Sequence, residues 1–251
     1  MKYCMLGRQP KSILKQADEI KMYYSDKDRI IDYIEDFPDK TIILEVPKDI
    51  ENLNWTLFEM YAKRINFVLC LANLDLIPKC QEHGIKFYWM YPVSTYMELW
   101  ALANLYPEYV LLDGPLCFDL PKVKQMTSAK IRMCPNLADV GYIPKENGLR
   151  GPWIRPEDVD LYGDYVYVFE FYATELSREA VLLHIYKDNK NWPGDLNLLI
   201  TNLNYNINNQ LLPKEWGEVR RDCGQRCMEY GSCHFCLRNA IQARPAQSSS
   251  T

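Results

Sequence analysis

Four cysteines, Cys223, Cys227, Cys233 and Cys236, fall within fourteen residues near the C-terminal end, separated by gaps of three, five and two residues. Four thiolates at such spacing are the donor set of a tetrahedral zinc ion or of an iron–sulfur cluster, and Gly224 and Gly231 let the backbone fold round the ion. The gaps match none of the common ferredoxin runs, so spacing leaves zinc and iron both open. Four thiolates round a divalent ion make a negative site, and Arg220, Arg221, Arg226 and Arg238 flank it closely enough to offset that charge. His234 can replace one thiolate. The remaining cysteines are scattered, and for Cys117 and Cys134 plain burial as small apolar residues is the simpler reading.

A second set of residues has the chemistry of a polar reaction site: Glu45, Asp113, Arg155 and Glu170. Carboxylates with an arginine serve acid–base work or hold a polar ligand, provided the chain brings them to one place. Tyr24, Ser25, Asp26, Asn73, Tyr91, Arg132, Asn136 and Trp153 belong to the same group of positions. The three histidines, His83, His184 and His234, fall on predicted helices or in the cysteine cluster, so Ser-His or Cys-His nucleophilic catalysis has little support.

What must position these residues is an alternation of short apolar runs and helical stretches. The runs lie at 2–6, 20–24, 41–46, 66–71, 85–91, 109–113, 130–134 and 165–171, and none alternates cleanly between polar and apolar. Strands covered on both faces have that character. Helical spacing appears at 10–17, 28–37, 54–63, 74–82, 95–105, 120–126 and 177–186. Thr95 followed by Glu98 predicts a capping box, Pro107 a helix stop, and Gly84 a hand-over from helix to strand.

Eight such units predict an α/β fold, a (β/α)8 TIM-like barrel over residues 1–190, with a doubly wound open sheet as the rival. The polar residues above then fall at the C-terminal ends of strands, where the loops form the concave face of a barrel. The long seventh connection, rich in Gly and Pro, predicts a loop across that mouth, carrying Trp153 and Arg155. Residues 191–244 read as a C-terminal extension holding the cysteine cluster, with a helix at 196–203, and residues 245–251 as a disordered polar tail.

Composition narrows the function classes. Of the 251 residues, 48% are hydrophobic and 25% charged, which excludes disorder for most of the chain. Lys and Arg number 29 against 33 Asp and Glu, so no global positive field draws the chain onto nucleic-acid phosphates, although a local patch is compatible with these numbers. No apolar run reaches membrane-spanning length, and the apolar start before Arg8 is too short for a signal peptide. The expectation is a cytoplasmic protein with no membrane association and reduced thiols.

The order of these units resembles the collagenase-like peptidase family, peptidase family U thirty-two. The resemblance covers about residues 1–190 and is carried by residues 109–115, by the loop Gly151-Pro152-Trp153-Ile154-Arg155-Pro156-Glu157-Asp158, and by 165–186, where the strand with Glu170 leads through Ser177 and Glu179 into a helix. It implies a barrel core with peptidase-like activity. It also implies relatives that carry out oxygen-independent hydroxylation in ubiquinone synthesis or on RNA, some with a four-cysteine iron–sulfur cluster. Around Glu170 this chain has Phe169 and Phe171 where those relatives tend to carry basic residues.

Two classes of function follow. One is an enzyme acting on a substrate at the barrel mouth through Glu45, Asp113, Arg155 and Glu170, with Cys223, Cys227, Cys233 and Cys236 holding iron–sulfur or zinc. The other is a non-catalytic interaction or scaffold protein with a structural zinc site and a protein or RNA partner. The 18 Tyr and 6 Trp would then partly serve a partner surface.

Overall fold

The structure, a computed structural model, describes residues 1–50, 52–113, 118–136, 153–171, 176–188, 192–200, 206–223 and 234–243. The eight apolar runs form eight parallel strands: β1 (Lys2–Leu6), β2 (Glu19–Tyr23), β3 (Thr41–Val46), β4 (Asn66–Leu71), β5 (Lys86–Trp89), β6 (Tyr109–Leu112), β7 (Lys130–Met133) and β8 (Val166–Glu170). They hydrogen-bond in sequence order, and β8 returns to β1 with Lys2 opposite Val168 and Cys4 opposite Glu170. The sheet is therefore a closed barrel without an edge, and the open doubly wound alternative is excluded.

Helices cover the outside: α1 (Lys11–Leu14), α2 (Ile30–Asp36), α3 (Trp55–Arg64), α4 (Ile77–Glu82), α5 (Tyr96–Ala103), α6 (Leu120–Met126) and α7 (Leu176–Asp188). Their starts follow from side chains that satisfy exposed amides. Asn54 accepts from the Leu57 amide, Asp119 from that of Lys122, and Thr95 and Glu98 close a full capping box. Gly84 ends the α4 turn at φ +63°, where a side chain would be strained. Past α5 the chain reverses through Tyr106 at φ 54°, before Pro107. A left-handed tyrosine costs roughly 1–2 kcal/mol, and it is 80% exposed, so packing does not offset that cost.

Two apolar layers result. Outward strand residues such as Ile42, Leu44, Leu69 and Val110 pack under the helices, whereas Cys4, Ile43, Val68, Cys70, Tyr88, Tyr109 and Val168 fill the barrel's interior. Between β7 and β8 the register shifts at Ile131/Arg132, which re-aims the strand next to the interior charges described below.

The chain beyond the barrel joins the outer layer. Leu196, Leu199, Ile200, Ile207, Leu212 and Trp216 are buried in the same apolar cluster as the barrel helices. The helix expected at 196–203 is instead a 3₁₀ turn at Leu196–Leu198, capped by Asp195, whose carboxylate also accepts from the Ile207 amide; residues 201–205 lie outside the described residues. Among the described residues two short helices follow, α8 (Trp216–Arg221) and α9 (Phe235–Gln242). The predicted tail 245–251 lies outside the described residues, as does the stretch 137–152 of the loop expected to cross the mouth. Among the described residues no helix is long and apolar enough to cross a membrane.

Candidate active site

The strands of the barrel carry charge inward. On β2 the alternation that sends Ile20 and Met22 outward turns Glu19 and Lys21 toward the axis, and the same alternation turns in Glu45 on β3 and Glu170 at the end of β8. Arg132 enters from β7. These five side chains form one continuous ladder. Arg132 pairs with Glu19 deep in the barrel and with Glu170 at 3.1 Å, and Lys21 Nζ lies 2.7 Å from Glu170 Oε1 and 2.9 Å from Glu45 Oε2. Arg132 is fully buried, its guanidinium 4.9 Å from the ring centres of both Tyr88 and Tyr109. The Tyr109 hydroxyl donates to Glu19 at 2.9 Å, and Tyr88 donates to Glu170 at 3.5 Å.

This arrangement answers the cost of placing charges in an apolar barrel. An isolated buried ion is disfavoured by several kcal/mol, so each must find a partner, and here three carboxylates alternate with two cations. Burial alone would raise the Glu170 carboxyl, but Lys21 and Arg132 outweigh it and hold it down to about 2. Burial alone would likewise lower the Lys21 ammonium; Glu170 and then Glu45 among its neighbours keep it well above its ordinary value. Glu170 is therefore a fixed anion and Lys21 a fixed cation at neutral pH. Lys21 has three N–H donors; one donates to Glu170, and Glu45 stands beside the ammonium as a second ion-pair partner. Glu45 is the ladder's most accessible end, its side chain 23% exposed.

Asp113 differs from all of these. It follows β6 at the same end of the barrel, is buried, and makes no side-chain hydrogen bond or ion pair among the described residues. Burial, with a smaller effect from the Glu98 charge, pushes its carboxyl up to about 6. A carboxyl titrating near neutrality can both take and give a proton. The two thiols inside the barrel are unsuited to attack: burial pushes Cys70 up to about 11 and raises Cys4 well above its usual value.

Of the four predicted catalytic residues, Glu45 and Glu170 come together through Lys21, whereas Asp113 follows β6, at the same end of the barrel but four strands round the ring from β2. Arg155 does not join them. It forms a bidentate pair with Asp158 at 2.6 and 2.9 Å and donates to the carbonyls of Pro213 and Lys214, fastening the C-terminal segment to the barrel. Trp153 is likewise buried against that segment, 5.8 Å from Trp216. Arg132 lies inside the barrel, not at its rim, because the bulge and the two tyrosines give it a closed slot. Asn73 caps a turn through the Asp75 amide, and Ser25 and Asp26 hold Arg8. His83 stacks on Trp55 with Nδ1 2.6 Å from Glu59, and His184 sits beside Asp188 on α7.

Sequence reasoning missed Lys21, Glu19, Tyr88 and Tyr109. The readable signal was Glu19-Ile20-Lys21-Met22, in which two charges at period two interrupt a strand otherwise expected to be apolar on both faces.

Of the predicted metal ligands, Cys223 follows α8 and Cys236 lies in α9, both half-buried thiols; Cys227 and Cys233 lie outside the described residues. Among the described residues no three His, Cys, Asp or Glu side chains converge as a cation cage. One feature fits a thiolate-bound metal: Arg220, stacked between Trp153 and Trp216 at 4.9 and 5.2 Å, directs Nη1 to the Cys236 sulfur at 3.8 Å. A buried guanidinium there places a positive charge beside a sulfur that would be a metal ligand. Cys117 lies outside the described residues, and Cys134 is buried 3.3 Å from the Asn136 side-chain oxygen.

No family model matches the sequence, and no curated protein matches it. A solved structure described as "Structural study of Project ID from Aquifex aeolicus VF5" is similar over 89% of this chain and 90% of that one, with a TM-score of 0.44 and 8% identity.

Proposed function

We propose that this barrel is a peptidase-like enzyme that hydrolyses an amide bond at its mouth, with Asp113 as general acid–base and Lys21 as the fixed cation beside the reacting carbonyl. The observation that carries the reading is the contrast between two environments: a carboxyl near pKa 6 with no side-chain partner among the described residues, and an ammonium locked in its charged form by Glu170 and Glu45. Pairs of groups driven apart in this way are the usual mark of divided acid–base and electrostatic roles.

In this mechanism the ionised Asp113 takes a proton from water as its oxygen attacks the amide carbon. A remaining N–H of Lys21 stabilises the oxyanion that develops on the carbonyl oxygen. Asp113 then returns the proton to the departing amine as the C–N bond breaks, giving a carboxylic acid and an amine. Glu170, Arg132, Glu19 and the two tyrosines keep Lys21 in place; they are positioning residues. The test is incubation of the protein with a mixed peptide library and mass-spectrometric detection of new termini. Cleavage by the wild type that falls by about 10²–10⁴-fold in Asp113→Asn supports the reading. No cleavage, or equal cleavage by both, contradicts it.

A second reading, oxygen-independent hydroxylation, is favoured by the Arg220–Cys236 contact. Cys223, Cys227, Cys233 and Cys236 would hold the iron–sulfur cluster, or a zinc ion in a structural version, and a cluster supplies electron transfer. Anaerobic purification with an absorption spectrum and metal analysis separates the cases: iron with sulfide supports the redox reading, and a single zinc supports a structural centre. Absence of both removes the metal from either account.

A further inference from the structure

The opposite end of the barrel holds a cavity of about 430 Å³, where β1, β7 and β8 begin. Lys2, Lys124 and Lys130 line it together with Tyr165 and Tyr167, and Asp164 is its one acid among the described lining residues. The lysines are held mostly by neutral groups. Lys2 Nζ donates to the Tyr167 hydroxyl at 2.6 Å, and Lys124 donates to the Asp164 carbonyl. Lys130 pairs with Glu108 at 2.6 Å, a carboxylate it shares with Lys86 at 3.8 Å. The same ammoniums stand over aromatic faces: Lys2 and Lys130 lie 4.6 and 4.9 Å from the Tyr167 ring centre, and Lys124 lies 5.6 Å from that of Tyr165.

A lysine on an aromatic face keeps its charge and much of its donor capacity, since the ring accepts no strong hydrogen bond and each ammonium has three N–H groups. Three such ammoniums round one open cleft give it a positive potential. The volume lies within the range of small-molecule sites. Barrel enzymes place their chemistry at the other end, so the proposed reaction does not account for this cavity.

We infer that the cavity at the N-terminal end of the barrel binds a small phosphorylated ligand, with the phosphate among Lys2, Lys124 and Lys130 and the rest of the ligand against Tyr165 and Tyr167. The inference is independent of the peptidase-like reading.

Isothermal titration with inorganic phosphate and, separately, with adenosine monophosphate tests it. The wild type is compared with Lys2→Gln/Lys124→Gln and with Lys63→Gln on α3 as a control away from the cavity. Binding of both ligands assigns the site to the phosphate itself, and binding of the nucleotide alone assigns it to a phosphate carried on a ring; each supports the inference. In either case the double variant raises Kd at least about tenfold, the control leaves it unchanged, and added salt weakens binding. The circular dichroism spectra of all three proteins stay alike. No binding of either ligand below about 10 mM, or a Kd in the double variant equal to that of the wild type, overturns it.

Discussion

Lys21 and Glu170 meet inside the barrel with Nζ 2.7 Å from Oε1, and through this contact β2 is tied to β8 across β1. The pair is the middle of the ladder, so each half depends on it: Arg132 and Glu19 lie on one side, Glu45 on the other.

Removing Glu170 should be costly. Glu170→Ala leaves Lys21 with Glu45 alone and Arg132 with Glu19 alone, and breaking a buried pair from one side costs about 3–5 kcal/mol. Urea denaturation at neutral pH should show that loss as a lower midpoint.

The same carboxylate sets acid sensitivity. Its folded pKa of about 2 lies below that of an unfolded glutamate, about 4.3. Its contribution is therefore complete above about pH 4.3 and is lost as pH falls toward 2. Asp113 has the opposite sign. Its folded pKa of about 6 lies above the unfolded value of about 3.9, so its contribution is complete below about pH 3.9 and is lost as pH rises through 6. Asp113→Asn should accordingly be more stable than wild type at pH 7, with the difference shrinking toward pH 4; urea midpoints at both pH values check this.

Much of this architecture was readable in advance. The apolar runs at 2–6, 41–46 and 66–71 have the bounds of β1, β3 and β4, because strands buried on both faces need continuous apolar sequence. The Thr95–Glu98 box was equally legible, since capping is local chemistry. The ladder was not. Glu45 and Glu170 stand 125 positions apart in sequence and meet only through barrel closure and Lys21. Arg155 read as a mouth residue because its loop follows β7, yet the partners that hold it come from Asp158 and the C-terminal segment, and long-range docking of that kind leaves no local pattern.

That docking yields a further expectation. A Cβ on Gly217 would lie 2.3 Å from the Asp158 carboxyl carbon, so Gly217→Ala must displace Asp158 and disturb its pair with Arg155. A loss of roughly 1–3 kcal/mol should follow, with faster tryptic cleavage around Lys214 and Arg221. Gly163→Ala, whose Cβ comes no closer than 3.4 Å to a neighbour, should change tryptic cleavage there little.

The cysteine segment makes its own prediction. If Cys236 is a metal ligand, Cys236→Ser should lower bound metal in the anaerobically purified protein. Arg220→Gln should weaken retention by about 10–100-fold, the range for losing a supporting group round a ligand. Metal content by mass spectrometry against chelator concentration reads both. Metal content identical in the wild type and Cys236→Ser would remove Cys236 from the site.

The central claim is that Asp113 moves the proton and Lys21 holds the charge. Its most direct test is the pH dependence of kcat/KM for a peptide the wild type cleaves, compared with Asp113→Asn. The account predicts a rate that rises through an apparent pKa near 6 in the wild type, as the free Asp113 carboxyl ionises to act as base, and a rate lower by about 10²–10⁴-fold without that limb in the variant. A variant that keeps both the rate and the limb near pH 6 would contradict it.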